Sequence, residues 1–326
     1  MAGNRRNFLK KAGGVTALVA AAPLGSVLSE PGVTVRTAAA VELTPTGSFA
    51  LELEGKPAGH LISSTGGMPV AAVVEEATIP GQFTKKHLGE ISYQPIDLQC
   101  SVDLDTELLD WLVESLTPGK PAYRDGAIQA ADFNGNVVSE RNFFNALVSE
   151  VGFPAMDGAS RDAGLMEVRI LPESTAVAAG GGTFPPTPRP KVWLASNFRF
   201  SLGNLPTSRV SRIESFSISI EAVGGGPAGT TVHVPDLRVT FSAIDAGPWQ
   251  AFFDDFVLNG NNGPASELTG KIELLTPDIS EVILAVELGH VGIFGLAPAT
   301  SEESLISRFV ADLYAEEISL TVPGTA

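Results

Sequence analysis

This sequence has little cysteine, little histidine and few long apolar runs, and each shortage removes a class of function. A single cysteine, Cys100, allows no intrachain disulfide, so stability has to come from a packed core. The four histidines are His60, His87, His233 and His290, and no pair has the i, i+4 or short strand spacing of a metal site. No Gly-x-Ser-x-Gly elbow is present to support a serine hydrolase. Gly180–Gly182 and Gly224–Gly226 lack the strand–loop–helix setting and the lysine of a phosphate cradle, so they read as flexible connections. Basic residues are scarce too: 21 Lys and Arg against 37 Asp and Glu leave a net charge of −16. Such a surface repels phosphates, so no nucleic-acid partner is expected. Past residue 40 no run is long and apolar enough to span a bilayer as a helix.

The first forty residues are set apart. Arg5, Arg6, Phe8, Leu9 and Lys10 open a charged segment, followed by a weakly apolar, Ala/Gly-rich run from Ala12 to Leu28 and by Ala38-Ala39-Ala40. Adjacent arginines ahead of Phe-Leu-Lys resemble the twin-arginine export signal, a receptor-read address rather than an anchor. The residue before the pair is Asn4, where that signal usually has serine. Gly13, Gly14, Pro23 and Gly25 interrupt the run, which argues against a membrane anchor. The expectation is a signal peptide over 1–40, no stable membrane span after cleavage, and a destination in the periplasm, at the cell surface or outside the cell. Arg5, Arg6, Lys10, Lys11 and Arg36 against Glu30 give this segment a net +4, which leaves the remainder near −20.

Hydrophobic content of 44% is ample for a core, and the remaining length suits two domains. The break falls at Ala176–Pro190, a glycine run followed by four prolines, which reads as a linker. The expected plan is 41–175 as one domain, 176–191 as linker and 192–326 as a second domain. The two parts can be laid over each other. Each has an alternating strand, Ile96–Val102 or Pro235–Phe241, leading to an apolar helix, Asp105–Leu116 or Asp245–Leu258. Asp97 is set against Asp236 in this overlay, and Trp111 and Trp249 fall within the helices. Strand pairs follow: Ala127–Phe133 with Val137–Phe144 across Asn134-Gly135, and Lys271–Leu275 with Ser280–Val286 across Pro277-Asp278. Leu165–Leu171 and Phe309–Leu320 read as closing strands. Each part opens with a hairpin, Ser48–Glu54 with Val70–Glu76 and Asn197–Leu202 with Ile213–Val223. Phe49 to Pro57 and Phe198 to Pro206 share a pattern. The fold class expected is mostly β with one short helix per domain, as an internal duplication of a barrel or sandwich. Expected core residues are Phe49, Leu51, Leu98, Leu109, Trp111, Phe133, Phe153, Phe200, Leu237, Val239, Trp249, Phe252 and Phe294.

The order of elements in Leu88–Ser174 resembles the phage tail-tube protein family, which includes contractile-tail tubes and related injection-system tube subunits. Its carriers are the strand at Ile91–Val102 leading to Asp110-Trp111, the hairpin Asp132-Phe133-Asn134-Gly135-Asn136-Val137, and the strand Glu167-Val168-Arg169-Ile170. The second part shares it through the repeat. Two copies, a Pro-rich linker and an export signal are unusual for a tube subunit. The resemblance implies a small β-barrel or sandwich with a helix plugging one side, in subunits that continue their sheets into neighbours, close into rings and stack. Two fused copies imply a trimer that looks like a six-part ring. In this reading the partners are further copies of the chain, with other tail-like or cell-surface components, and neither catalysis nor a cofactor is expected.

Other constellations read as structural. Asp132–Asn136 with Glu140 lacks the flanking helices and twelfth-position glutamate of a calcium loop. Asp103, Asp105, Glu107, Asp110 and Glu114 read as a solvated helix face rather than a glycosidase pair. Asp254 and Asp255 read the same way. Trp111, Trp193 and Trp249 could stack sugars, but the first and last occupy apolar helix positions. The alternative functions are a two-domain β binding module for carbohydrate or protein, and a hydrolase whose site leaves no motif.

Overall fold

The computed structural model describes residues 48–76, 83–184, 193–223, 229–299 and 307–322, all within one compact unit, Thr44–Ala326. Arg5, Arg6, Phe8, Leu9 and Lys10, with the rest of the export segment, residues 185–191 of the linker and residue 192, lie outside the described residues. The described residues are mostly β, with one α-helix in each half.

The first half runs β1 (Ser48–Leu53), β2 (Lys56–Gly66), β3 (Pro69–Glu75), β4 (Lys86–Tyr93), β5 (Ile96–Cys100), α1 (Thr106–Ser115), β6 (Arg124–Ala131), β7 (Val137–Phe153), β8 (Met156–Asp157), β9 (Met166–Leu171) and β10 (Ser174–Ala179). Six of these close a barrel in the order β1-β2-β5-β9-β7-β6, with every pairing antiparallel. Closure removes the free edges that an open sheet of this size exposes. Strict alternation aims one face inward: Met166, Val168 and Ile170 are buried while Glu167, Arg169 and Leu171 face out.

The second half runs β11 (Phe198–Leu202), β12 (Val210–Ile213), β13 (Phe216–Ala222), β14 (Thr230–His233), β15 (Leu237–Ser242), α2 (Ala246–Phe253), β16 (Leu268–Leu275), β17 (Val282–Pro298), β18 (Arg308–Tyr314) and β19 (Glu317–Thr321). Its sheet follows β11-β16-β17-β18-β15-β12, with β8 of the first half added beyond β12. A π turn at Asp254–Leu258 extends α2 to the predicted end of the helix.

Both helices plug the core with a tryptophan. The Trp111 indole N–H donates to the Ala122 carbonyl at 2.8 Å, and its ring stacks on Phe143. The Trp249 N–H donates to the Pro206 carbonyl at 3.0 Å, with its ring 4.6 Å from that of Phe241. Trp193 is buried as well and donates to the Asn197 carbonyl at 2.9 Å. All three indoles are therefore core, with their single donors satisfied, and are not surfaces for sugar stacking.

Several sequence expectations are corrected here. Ser48–Leu53 pairs with β2 and β6, not with Val70–Glu76; those residues lie in β3 and beyond, and β3 pairs with β4. Phe198–Leu202 pairs with β16 rather than with Ile213–Val223. Ile96 and Leu237 both face the buried residue of the closing strand, Ile170 and Leu313, so Asp97 corresponds to Arg238 and not to Asp236. Phe133 lies in the Asp132–Asn136 hairpin turn and is 82% exposed. Phe294 is the extra residue of a β-bulge between Ile293 and Gly295, which turns it outward to 50% exposure. The other expected core residues are buried or packed against the core. The strand β10 takes in residues 176–179 at the start of the Gly/Pro-rich stretch.

Candidate assembly interface

Groups that could carry chemistry are occupied in holding strands together. The Glu267 carboxylate takes the Tyr314 hydroxyl at 2.8 Å and His290 Nδ1 at 2.9 Å, with exposed Glu316 nearby. The hydrogen bond that His290 gives to Glu267, helped by Glu317, raises the His290 pKa above its ordinary value. Burial, together with the same carboxylate, pushes the Tyr314 hydroxyl up to about 12. Glu267, one residue ahead of β16, thereby ties His290 of β17 to Tyr314 of β18. Asp132 accepts from the backbone N–H groups of Asn134 and Asn136 at 2.8 and 2.9 Å, and from the Asn136 side chain at 3.0 Å. Its carboxylate serves its own turn, which is why the pKa falls. Along α1, Glu107 pairs with Lys56 at 2.9 Å and Glu114 pairs with Lys120 and Arg124. Asp105 is raised by burial, with Asp103 adding and His60 opposing.

A groove of about 700 Å³ runs between the end of α1 (Val113, Leu116) and the second half, where Lys271 and Glu287 pair at 2.7 Å and Ile318 lines the wall. Lys271 and Glu287 are matched to each other, while Glu316 and Glu317 also line the groove.

The most distinctive geometry is the joint between the halves. β7 is 17 residues long, and its first part lies between β6 and β10. Its last part pairs with β9 on one side and with β13 of the second half on the other. The register there is Phe216 on Phe153, Ser217 on Gly152, Ile218 on Val151 and Ser219 on Glu150. Phe153 and Phe216 stack with centroids 5.1 Å apart, and Ile218 and Ile220 are buried. A side chain at Gly152 would meet the Ser217 hydroxyl at 3.2 Å, so glycine suits this close approach. Directly after β7, β8 pairs with β12, placing Arg212 on Asp157 with an ion pair at 2.7 Å. The Asp157 pKa is lowered by the backbone N–H of Ala159 and by Arg212, while Glu214 and Asp157 raise that of Arg212.

The same parts in the other order are left uncovered. β3 and β4 form a two-stranded sheet of their own. Val73, Leu88 and Ile91 on it are 61%, 73% and 65% exposed. At the end of β17, β18 pairs with Gly295–Pro298 on one side, and among the described residues no strand pairs with the other. Leu296 is only half-buried and Pro298 is exposed.

Sequence reasoning named only the export residues as a site and missed this joint. The available signal is the apolar alternation of Phe216, Ile218 and Ile220.

No protein-family model and no curated protein matches the chain. Among solved structures, it is similar to the sheath/tube terminator of an extracellular contractile injection system in the extended state, at 20% identity and a TM-score of 0.36, covering 41% of this chain and 96% of that one. The sheath–tube complex of an extracellular contractile injection system gives 20% identity and a TM-score of 0.38, over 45% of this chain and 99% of that one. The tube-terminating cap of the anti-feeding prophage gives 16% and 0.37, over 46% of this chain and 96% of that one.

Proposed function

We propose that the chain is an exported structural protein, a tandem of two tail-tube-like β-domains that self-associates into rings or tubes. The observation that carries this reading is the β13–β7 pairing, in which one barrel-like domain prolongs the sheet of the next. A surface that joins domain to domain within a chain can join chain to chain, because backbone hydrogen bonding and a shared apolar face do not depend on covalent connection. The repeat supports the reading: both halves pass through two strands, a hairpin, a strand, a helix, a strand and a 17-residue bent strand. We assign 1–40 to a twin-arginine signal, 41–175 and 192–326 to the two domains, and 176–191 to the connection, with an internal duplication behind the two domains. The function lies in edges and faces, with other tail-like or surface components as further partners.

Light scattering and negative-stain imaging of the purified chain test this. Three chains per ring, with six similar lobes, is the expected result. A monomer at high concentration would overturn it and turn attention to the groove beside α1 as a binding site.

A further inference from the structure

The two halves present the same joint once filled and once empty, and the registers say how the empty one closes. Ser219 lies opposite His233, four residues before Leu237; Val70 lies opposite Ser92, four residues before Ile96. Leu237 and Ile96 occupy the same place against the closing strand, so Val70 corresponds to Ser219, Pro69 to Ile218 and Ala71 to Ile220. On the receiving side, Val151 faces Val168 and Leu296 faces Ala311, each six positions past a left-handed residue and two past a bulge, so Leu296 corresponds to Val151 and Pro298 to Phe153.

We infer that the β3–β4 hairpin of one copy of this chain docks on the free edge of β17 in a second copy, repeating between chains the β13–β7 pairing made within one. The register puts Met68 on Ala297, Pro69 on Leu296 and Val70 on Gly295; it stops short of Gly67, which is buried with its N–H on the Pro95 carbonyl and its own carbonyl taken by the Thr175 hydroxyl. This deepens the self-association reading and rests on it, by naming the two surfaces and their direction, head to tail.

Side chains agree face by face. The face of β13 that the first half buries carries Phe216, Ile218 and Ile220. The corresponding face of the hairpin carries Pro69, Ala71 and Ile91, continuing to Val73 and Leu88, and its large residues are exposed. The recipient is apolar, half-buried at Leu296 and exposed at Pro298, where its counterparts Val151 and Phe153 are buried. Backbone directions agree as well. The Gln94 N–H donates to the Met68 carbonyl at 2.9 Å, so Met68 turns toward β4 and Pro69 turns its carbonyl outward. The Ala299 N–H donates to Arg308 at 2.8 Å, so Leu296 points its N–H at the open side. That N–H meets the Pro69 carbonyl in this register. Pro69 and Pro298 have no N–H to give, so the ladder is short and the apolar face bears most of the contact. A contact of this kind is heterologous and must close on itself to stop growing.

A disulfide trap tests it. Met68 and Ala297 form a non-hydrogen-bonded pair in this register, about 4.5 Å between Cα atoms, within the range a disulfide bridges. Cys100 stays out of the exchange, buried and with its thiol pushed up to about 12 by burial. The full chain carrying Met68→Cys and Ala297→Cys should form reducible multimers on mild oxidation, while neither single variant goes beyond a dimer. Gly152→Cys with Ser217→Cys, the filled joint, should close within one chain and serves as the positive control. Ile91→Asp with Leu88→Asp should lower association at least ten-fold and leave the melting temperature unchanged. If scattering shows rings or tubes but the 68/297 pair does not cross-link, this pairing is wrong and self-association stands on other surfaces. A monomer that also fails to cross-link removes both.

Discussion

The two halves build the same strand with different side chains. β7 and β17 each have 17 residues, each with a non-glycine residue in the left-handed region at the ninth position (Asn145, φ 48°; His290, φ 52°). Each then has a bulge four residues on, at Ser149 or Phe294. Across the neighbouring strands the same cross-strand ion pair recurs with its signs exchanged: Asp97–Arg169 at 2.6 Å in one half, Arg238–Asp312 at 3.0 Å in the other. What the halves hold in common is backbone shape. Charge sign, and whether the far end of the long strand is covered, are free to differ. A bent strand changes partners halfway along its length, and the bend is fixed by left-handed and bulged residues whatever the side chains do.

The largest test of the comparison is truncation of the paired plugs. Trp111→Ala and Trp249→Ala should each cost about 3–5 kcal/mol in denaturant melts. A single shared transition in both variants would mark the halves as one cooperative unit, whereas two transitions, only one shifted by each, would separate them. Next comes the filled joint: Phe216→Ala should cost about 3 kcal/mol. Its uncovered counterpart Ile91→Ala should change the monomer's stability by less than about 0.5 kcal/mol. Equal losses would mean that the hairpin is covered within its own chain.

A smaller effect separates Asn145 from His290, since only the histidine titrates. Its pKa is raised from 6.5 by Glu267, so its stabilising contribution is fully present below pH 6.5 and is lost as pH rises through the higher folded value. The stability gap between wild type and His290→Asn should therefore narrow as pH rises above 6.5, and a gap that widens would overturn the assignment. The smallest is the exchange Asp97→Arg with Arg169→Asp, which gives the first half the second half's signs. Side chains about half exposed make each pair worth well under about 1 kcal/mol, and the double variant should recover most of what Asp97→Arg alone loses.

Periodicity made the local elements readable. The helices carrying Trp111 and Trp249, the hairpin turning at Asn134-Gly135, and the strands at Ile96 and Met166 follow from apolar spacing and turn chemistry alone. Partnership was not readable. Alternation tells which face of β1 is buried, and says nothing of whether β2 or β3 lies beside it. The bulge at Phe294 reverses the alternation without altering composition, so an aromatic expected inside is outside. The hairpin β3–β4 carries the valines and isoleucine of an interior strand, and a strand awaiting a partner has the same pattern as one already paired. For that reason the joint had to be seen before it could be named.

The order of β7 and β13 along the chain bears on how the molecule is made. Synthesis runs from the N-terminus, so the first barrel can close once β9 has left the ribosome, while β13 follows roughly 45 residues later. During that interval the far end of β7 is a finished edge with nothing on it, and Phe216–Ser219 is the first matching strand to arrive. Nascent chains on one polysome pass through this stage side by side, so a slowly emerging β13 invites a neighbour's strand to take its place.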